Sequence, residues 1–109
     1  MNFSEYQELA MRTRGNYDSK RDQLMCAGLG LTGEAGEVAE LIKKRLFHLK
    51  NSVKDEDIVK EMGDVMWYLA LLADNIGWNL ELIATLNIEK LKKRYPDGFS
   101  YRAANERVA

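Results

Sequence analysis

The sequence predicts an all-α fold, a small bundle of four main helices with a short C-terminal arm, assembled as a homo-oligomer. Three observations predict it. Apolar residues recur at helical spacing in four successive segments, capping residues open those segments, and the third segment is apolar on two sides. The 109 residues suit a single domain spanning 1–109, since one proline, no low-complexity run and no linker interrupt them.

The first helix opens at Ser4-Glu5-Tyr6-Gln7, which reads as a capping box with Ser4 as N-cap and Phe3 as its staple, and runs to about Arg14. Tyr6, Leu9 and Ala10 form a narrow apolar face that must pack on something larger. Gly15 to Asp18 is a loop. Ser19, with Asp22 three residues on, starts a second helix that continues to about Leu49. Its apolar arc holds Leu24, Leu31, Ala35, Val38, Ile42 and Leu46, counted at about 100° per residue. Gly28, Gly30, Gly33 and Gly36 each disfavour the helix by about 1 kcal/mol relative to alanine. Close packing is the simplest compensation, with Gly33 and Gly36 leaving room beside neighbouring acids; a break near Gly30 is the other option. Lys43-Lys44-Arg45 is read as a solvated basic face and His48 as a residue favoured by the C-terminal dipole.

After a loop over Asn51 to Lys54, Asp55 or Asp57 caps the third helix, which runs to about Ile76. Ile58, Met62, Val65, Leu69, Leu72 and Ile76 form its core arc. Trp67, Leu71 and Ala70 make a second apolar group on the far side, expected to be buried against another subunit. Gly77 ends this helix and Asn79 starts the fourth, with Glu81 in its first turn. Leu82, Ile83, Leu86 and Leu91 are expected to point inward, and the helix stops at Tyr95 because Pro96 follows. Asp97-Gly98 turns the chain into an arm over Phe99 to Ala109 that wraps a neighbour or frays.

Composition narrows the classes of function. With 16 basic and 17 acidic side chains the net charge is −1, so nothing electrostatic argues for nucleic acid or a membrane surface as a partner. The single cysteine, Cys26, rules out an internal disulfide and a zinc knuckle, and reads as a small core residue. No apolar run is long enough to cross a membrane and no signal pattern opens the chain, which therefore reads as cytoplasmic.

The chemistry lies in two acidic pairs, Glu34-x-x-Glu37 and Glu61-x-x-Asp64. Each pair projects from one side of its helix on neighbouring turns, and each borders the apolar arc of that helix. A pair at this spacing is often just a solvated edge. Two pairs flanking two seams suggest a nest for a hard divalent cation such as Mg2+, which takes oxygen ligands and works where carboxylates meet phosphates. Tyr68, one turn beyond Asp64 on the same face, is placed either to stack on a nucleobase or to fill the helix seam. Asn87, Lys90 and Arg94 share one face of the fourth helix, where an amide and two cations suit a triphosphate, although the helix dipole alone accounts for the cations.

Glu34-x-x-Glu37, the gap from Val38 to Lys60 and Glu61-x-x-Asp64 resemble the MazG-type nucleotide pyrophosphohydrolases of the all-α NTP pyrophosphatase superfamily. The resemblance extends to Leu31-Thr32-Gly33-Glu34-Ala35-Gly36-Glu37, to the stretch from Glu61 to Tyr68 and to Asn87 through Pro96. It implies hydrolysis of a nucleoside triphosphate, canonical, deoxy or modified, to the monophosphate and pyrophosphate. It further implies Glu34, Glu37, Glu61 and Asp64 as catalytic metal ligands for Mg2+, or Mn2+ in its place, with one glutamate orienting or deprotonating the attacking water. Asn87, Lys90 and Arg94 would lie on the phosphate side, and the protein would be a homodimer or homotetramer with its site near a subunit interface. The competing reading is a non-catalytic helical dimerisation module with a structural or vestigial cation site. That reading explains the apolar stripes but not why both acidic pairs border the seam. A carboxylate-bridged iron protein would want Glu-x-x-His pairs, which are missing.

Overall fold

A computed structural model describes residues 1–48 and 52–106. Its helices are α1 (Phe3–Met11), α2 (Lys20–Lys43), α3 (Asp55–Asn75), α4 (Leu80–Arg94) and a short α5 (Tyr101–Asn105), with a π-helical turn over Lys44–His48 closing α2. There is no strand among the described residues, as the sequence predicts. The expected helix end at Leu49, the start of the following loop at Asn51 and the last three residues of the arm lie outside the described residues.

Three caps match the sequence in kind. The Ser19 hydroxyl accepts from the Asp22 N–H at 3.1 Å, the Asn79 side chain accepts from the Leu82 N–H at 2.8 Å, and Asp57 accepts from the Lys54 N–H at 2.9 Å. Gly77 and Gly98 take positive φ, 75° and 86°, which ends α3 and turns the chain after Pro96. The first cap differs: Asn2, not Ser4, caps α1 by accepting from the Glu5 N–H at 2.8 Å. An asparagine two residues earlier starts the helix at Phe3 and takes the Glu5 N–H, and the Gln7 side chain serves another task. Its amide donates to the Trp78 carbonyl at 3.1 Å and accepts from the Leu80 N–H at 2.7 Å, tying the α3–α4 corner to α1.

α2 and α3 form an antiparallel hairpin. Asn75 bonds the Lys20 carbonyl, Gln23 bonds Leu71 and Asp74, Gly30 faces Tyr68, and Glu34 meets Glu61 and Asp64. Ala70 and Leu71 are fully buried and Ala73 nearly so, and Gln23 and Ala27 are the buried residues of α2. The group expected to meet another subunit, Trp67, Leu71 and Ala70, is therefore packed within the chain. The Trp67 indole N–H donates to the Thr13 hydroxyl at 2.7 Å and to the Ala10 carbonyl at 3.3 Å, which pins α1 to α3.

The core arcs are corrected accordingly. Met62, Leu69 and Ile76 on α3, Leu24 and Ile42 on α2 and Leu46 in the turn after it are exposed, as are Leu82, Ile83, Leu86 and Leu91 on α4, which buries no residue. The side chains that the single chain buries are mostly small, alanines together with Val53, Leu71 and Gln23, and the large aliphatics are left uncovered. α2 is continuous through Gly30.

Candidate metal centre

The antiparallel register of α2 and α3 places Glu34 opposite the one-turn pair Glu61 and Asp64. Their carboxylate oxygens lie within 4.8 Å of one another; Glu34 and Glu61 are half-buried and Asp64 is exposed. This is close to the about 4 Å that separates oxygens across a Mg2+ ion. All three donors are hard oxygens, the type that suits Mg2+, Mn2+ or Ca2+. Glu37, the fourth acid of the motif, stands outside this trio on the exposed side of α2, yet its charge still reaches Glu61.

Crowding has an electrostatic signature. A hydrogen bond with the Glu34 carboxyl, then burial, then the charges of Glu34, Asp64 and Glu37 push the Glu61 carboxyl above its ordinary 4.5. Like charges held this close favour sharing a proton, and a divalent cation would relieve the same repulsion. The donor chemistry and spacing thus fit a cation held by Glu34, Glu61 and Asp64, with Glu37 at the rim.

The other residues singled out in the sequence are placed separately. Tyr68 is half-buried, its ring against the backbone of Gly30 and edge-on to Trp67 at 5.0 Å between centroids. Asn87 faces an apolar groove with Phe3, Met66, Leu69 and Ile83. Lys90 is exposed on α4, and Arg94 lines a cavity at the C-terminal bend with Lys93, Asp97, Phe99 and Arg102. Gly33 and Gly36 face open space in this chain rather than a close neighbour.

Tyr6 was not legible as a neighbour of the acids. Burial and then the charge of Asp64 raise its phenol above the usual value, so the field of the acids reaches α1. The only sequence signal was its place on the narrow apolar face of α1. An open apolar groove lined by Ala35, Val38, Met62, Val65 and Met66 borders the cluster.

Residues 25–99 match the model of the MazG nucleotide pyrophosphohydrolase domain. The chain is similar to the gene 37 protein of Mycobacterium phage L5, 40% identical over 73 residues that make up 64% of each chain. It is also similar to the uncharacterized protein YvdC of Bacillus subtilis (strain 168), 35% identical over 75 residues, 60% of this chain and 69% of that one. The match thus spans less than two thirds of the phage protein. No solved structure matches the chain.

Proposed function

The chain belongs to the MazG nucleotide pyrophosphohydrolase family, and from that premise we propose that it hydrolyses a nucleoside triphosphate to the monophosphate and pyrophosphate. The observation that carries the reading is the convergence of Glu34, Glu61 and Asp64 within 4.8 Å. Glu34, Glu61 and Asp64, with Glu37 at their rim, would hold Mg2+, or Mn2+ in its place. When bound, the ion offsets the negative charge of the phosphates as it redistributes during the reaction.

The chain's own residues do the rest. A glutamate of the cluster that is not engaged by the ion orients a water and takes its proton. The water oxygen bonds to the α-phosphorus as the bond from that phosphorus to the bridging oxygen breaks, and pyrophosphate leaves. Glu37 suits the proton-accepting role, because it stands at the rim, outside the trio of Glu34, Glu61 and Asp64. Asn87, Lys90 and Arg94 serve the phosphate side of the substrate, from whichever copy of α4 reaches the cluster.

A homodimer is part of the proposal. The chain exposes 8346 Å², about 2200 Å² more than a folded monomer of its mass is expected to expose. That excess is on the scale of what one partner buries in an obligate interface. A second copy covering α4 and the groove beside Met62 accounts for it.

The test is pyrophosphate release from a panel of canonical and modified NTPs and dNTPs, with Mg2+ and with EDTA, and with the nucleotide product identified. Metal-dependent release with the monophosphate as product is expected, and Asp64→Asn should lower it on the order of a hundredfold or more. No release from any member by folded protein shown to bind Mn2+ would favour the non-catalytic dimerisation module, which the bare apolar faces also suit.

A further inference from the structure

Among the glycines of α2, Gly30 is distinguished by what it touches. A Cβ built at Gly28, Gly33 or Gly36 meets open space, whereas one at Gly30 would fall deep inside the van der Waals radius of Cδ1, Cε1 and Cζ of Tyr68. The ring therefore occupies the space that every other residue type would fill. It is also braced from behind. Trp67 meets it edge-on, with rings 83° apart, and the Trp67 indole is itself held by Ala10 and Thr13. Swinging the ring away from α2 would disturb the attachment of α1.

The position of this contact matters more than its tightness. Gly30 lies one helical turn before Glu34 on α2, and Tyr68 lies one turn after Asp64 on α3. In an antiparallel hairpin these two offsets fall at one level, directly beneath the carboxylate cluster. The separation of α2 from α3 at that level is then set by a single ring thickness. A change there alters the distance from Glu34 to Glu61 and Asp64 before it alters anything else in the seam, because the levels beyond are fixed independently by Gln23, Ala27 and Leu71.

We propose that Gly30 and Tyr68 form a spacer that sets the gap between Glu34 and the Glu61–Asp64 pair, and so act as positioning residues for the cation. The inference rests on the reading that these carboxylates bind a divalent cation. It also gives α2 a reason to keep a glycine in mid-helix, where alanine would favour the helix. Tyr68 acts here through its ring, not its hydroxyl.

The experiment is Mn2+ titration of the full-length protein, following the free-ion signal by electron paramagnetic resonance, with helix content checked by circular dichroism. Gly30→Ala should weaken Mn2+ binding by about tenfold or more, the scale of losing a support behind a metal ligand, while Gly28→Ala should leave it unchanged. Introducing Gly30→Ala into a Tyr68→Ala background should have little further effect, since the clash has gone and the two changes are not independent. Should Gly30→Ala fail to fold, the pair Tyr68→Phe and Tyr68→Leu decides: Phe should bind as the parent does and Leu severalfold more weakly. Parent-like binding by Gly30→Ala, an equal loss in both Tyr68 backgrounds, or an equal loss for Phe and Leu would each overturn the spacer. Absence of Mn2+ binding by the parent protein would overturn the cation reading itself, and the spacer's role with it.

Discussion

Glu61 is the residue whose charge the fold governs most visibly. Its carboxyl is held above 4.5 by the hydrogen bond with Glu34 first, then by burial and by the charges of Glu34, Asp64 and Glu37. The folded state thus favours the protonated form. Its contribution to stability is present below the unfolded value and is lost as pH rises through the raised one. With chelator present, denaturant midpoints should fall as pH climbs through that interval, and Glu61→Gln, neutral throughout, should flatten the fall. Added Mg2+ should reverse the trend, because carboxylates bind it only after losing their protons. The acids themselves could be read from the sequence, as their i, i+3 spacing and their siting at the edge of two apolar arcs survive any error in helix boundaries. The approach of Tyr6 to Asp64 could not, because it depends on how α1 crosses α3.

At the scale of the helix, the two apolar sides of α3 exchange the roles that a count of large side chains assigns them. Ala70, Leu71 and Ala73 are the buried side chains of α3, Leu71 at the level of the buried Gln23 of α2, while Met62, Leu69 and Ile76 look outward. Hydrophobic periodicity locates both stripes but does not rank them. Close approach of backbones favours small residues, and an indole N–H must find an acceptor. Trp67→Ala should accordingly destabilise the protein by about 3 kcal/mol through the loss of its hold on α1, and leave the assembly state alone. Leu86→Glu on α4 should do the opposite: sedimentation velocity should report a smaller species at an almost unchanged helix content. A Trp67 variant that dissociates the assembly while a Leu86 variant does not would invert this assignment of faces. Helix starts were legible at Ser19 and Asn79, whose side chains cap them, but not at α1, where Asn2 takes the place expected of Ser4. The π-helical turn after Lys43 carries no such mark, and its basic residues Lys44 and Arg45 read equally well as plain helix.

As a whole, the chain is too open for its length. Its radius of gyration is 17.1 Å, where a compact domain of this size has about 13 Å. Few residues are buried, the large fully buried side chain among those described is Leu71, and α4 leaves the α2–α3 hairpin with its apolar side bare. The proposed dimer would couple folding to association, and the melting temperature should then climb with protein concentration across the micromolar range. A concentration-independent melt would show that the single chain is stable alone. Four helices and a C-terminal arm were legible from periodicity, caps, Gly77 and Pro96. The spread of the helices was not, because the sequence states which surfaces are apolar and leaves open whether the same chain or another covers them. α4 behaves as a boom pivoted at its root, where the amide of Gln7 holds the corner at Trp78 and Leu80. With 15 residues it reaches about 22 Å, so a tilt of about 10° at the pivot carries Lys92, Lys93 and Arg94 through about 4 Å at the tip. One glutamine near the N-terminus thereby aims a set of cations more than seventy residues away in the sequence, with a mechanical advantage that no residue at the tip itself possesses.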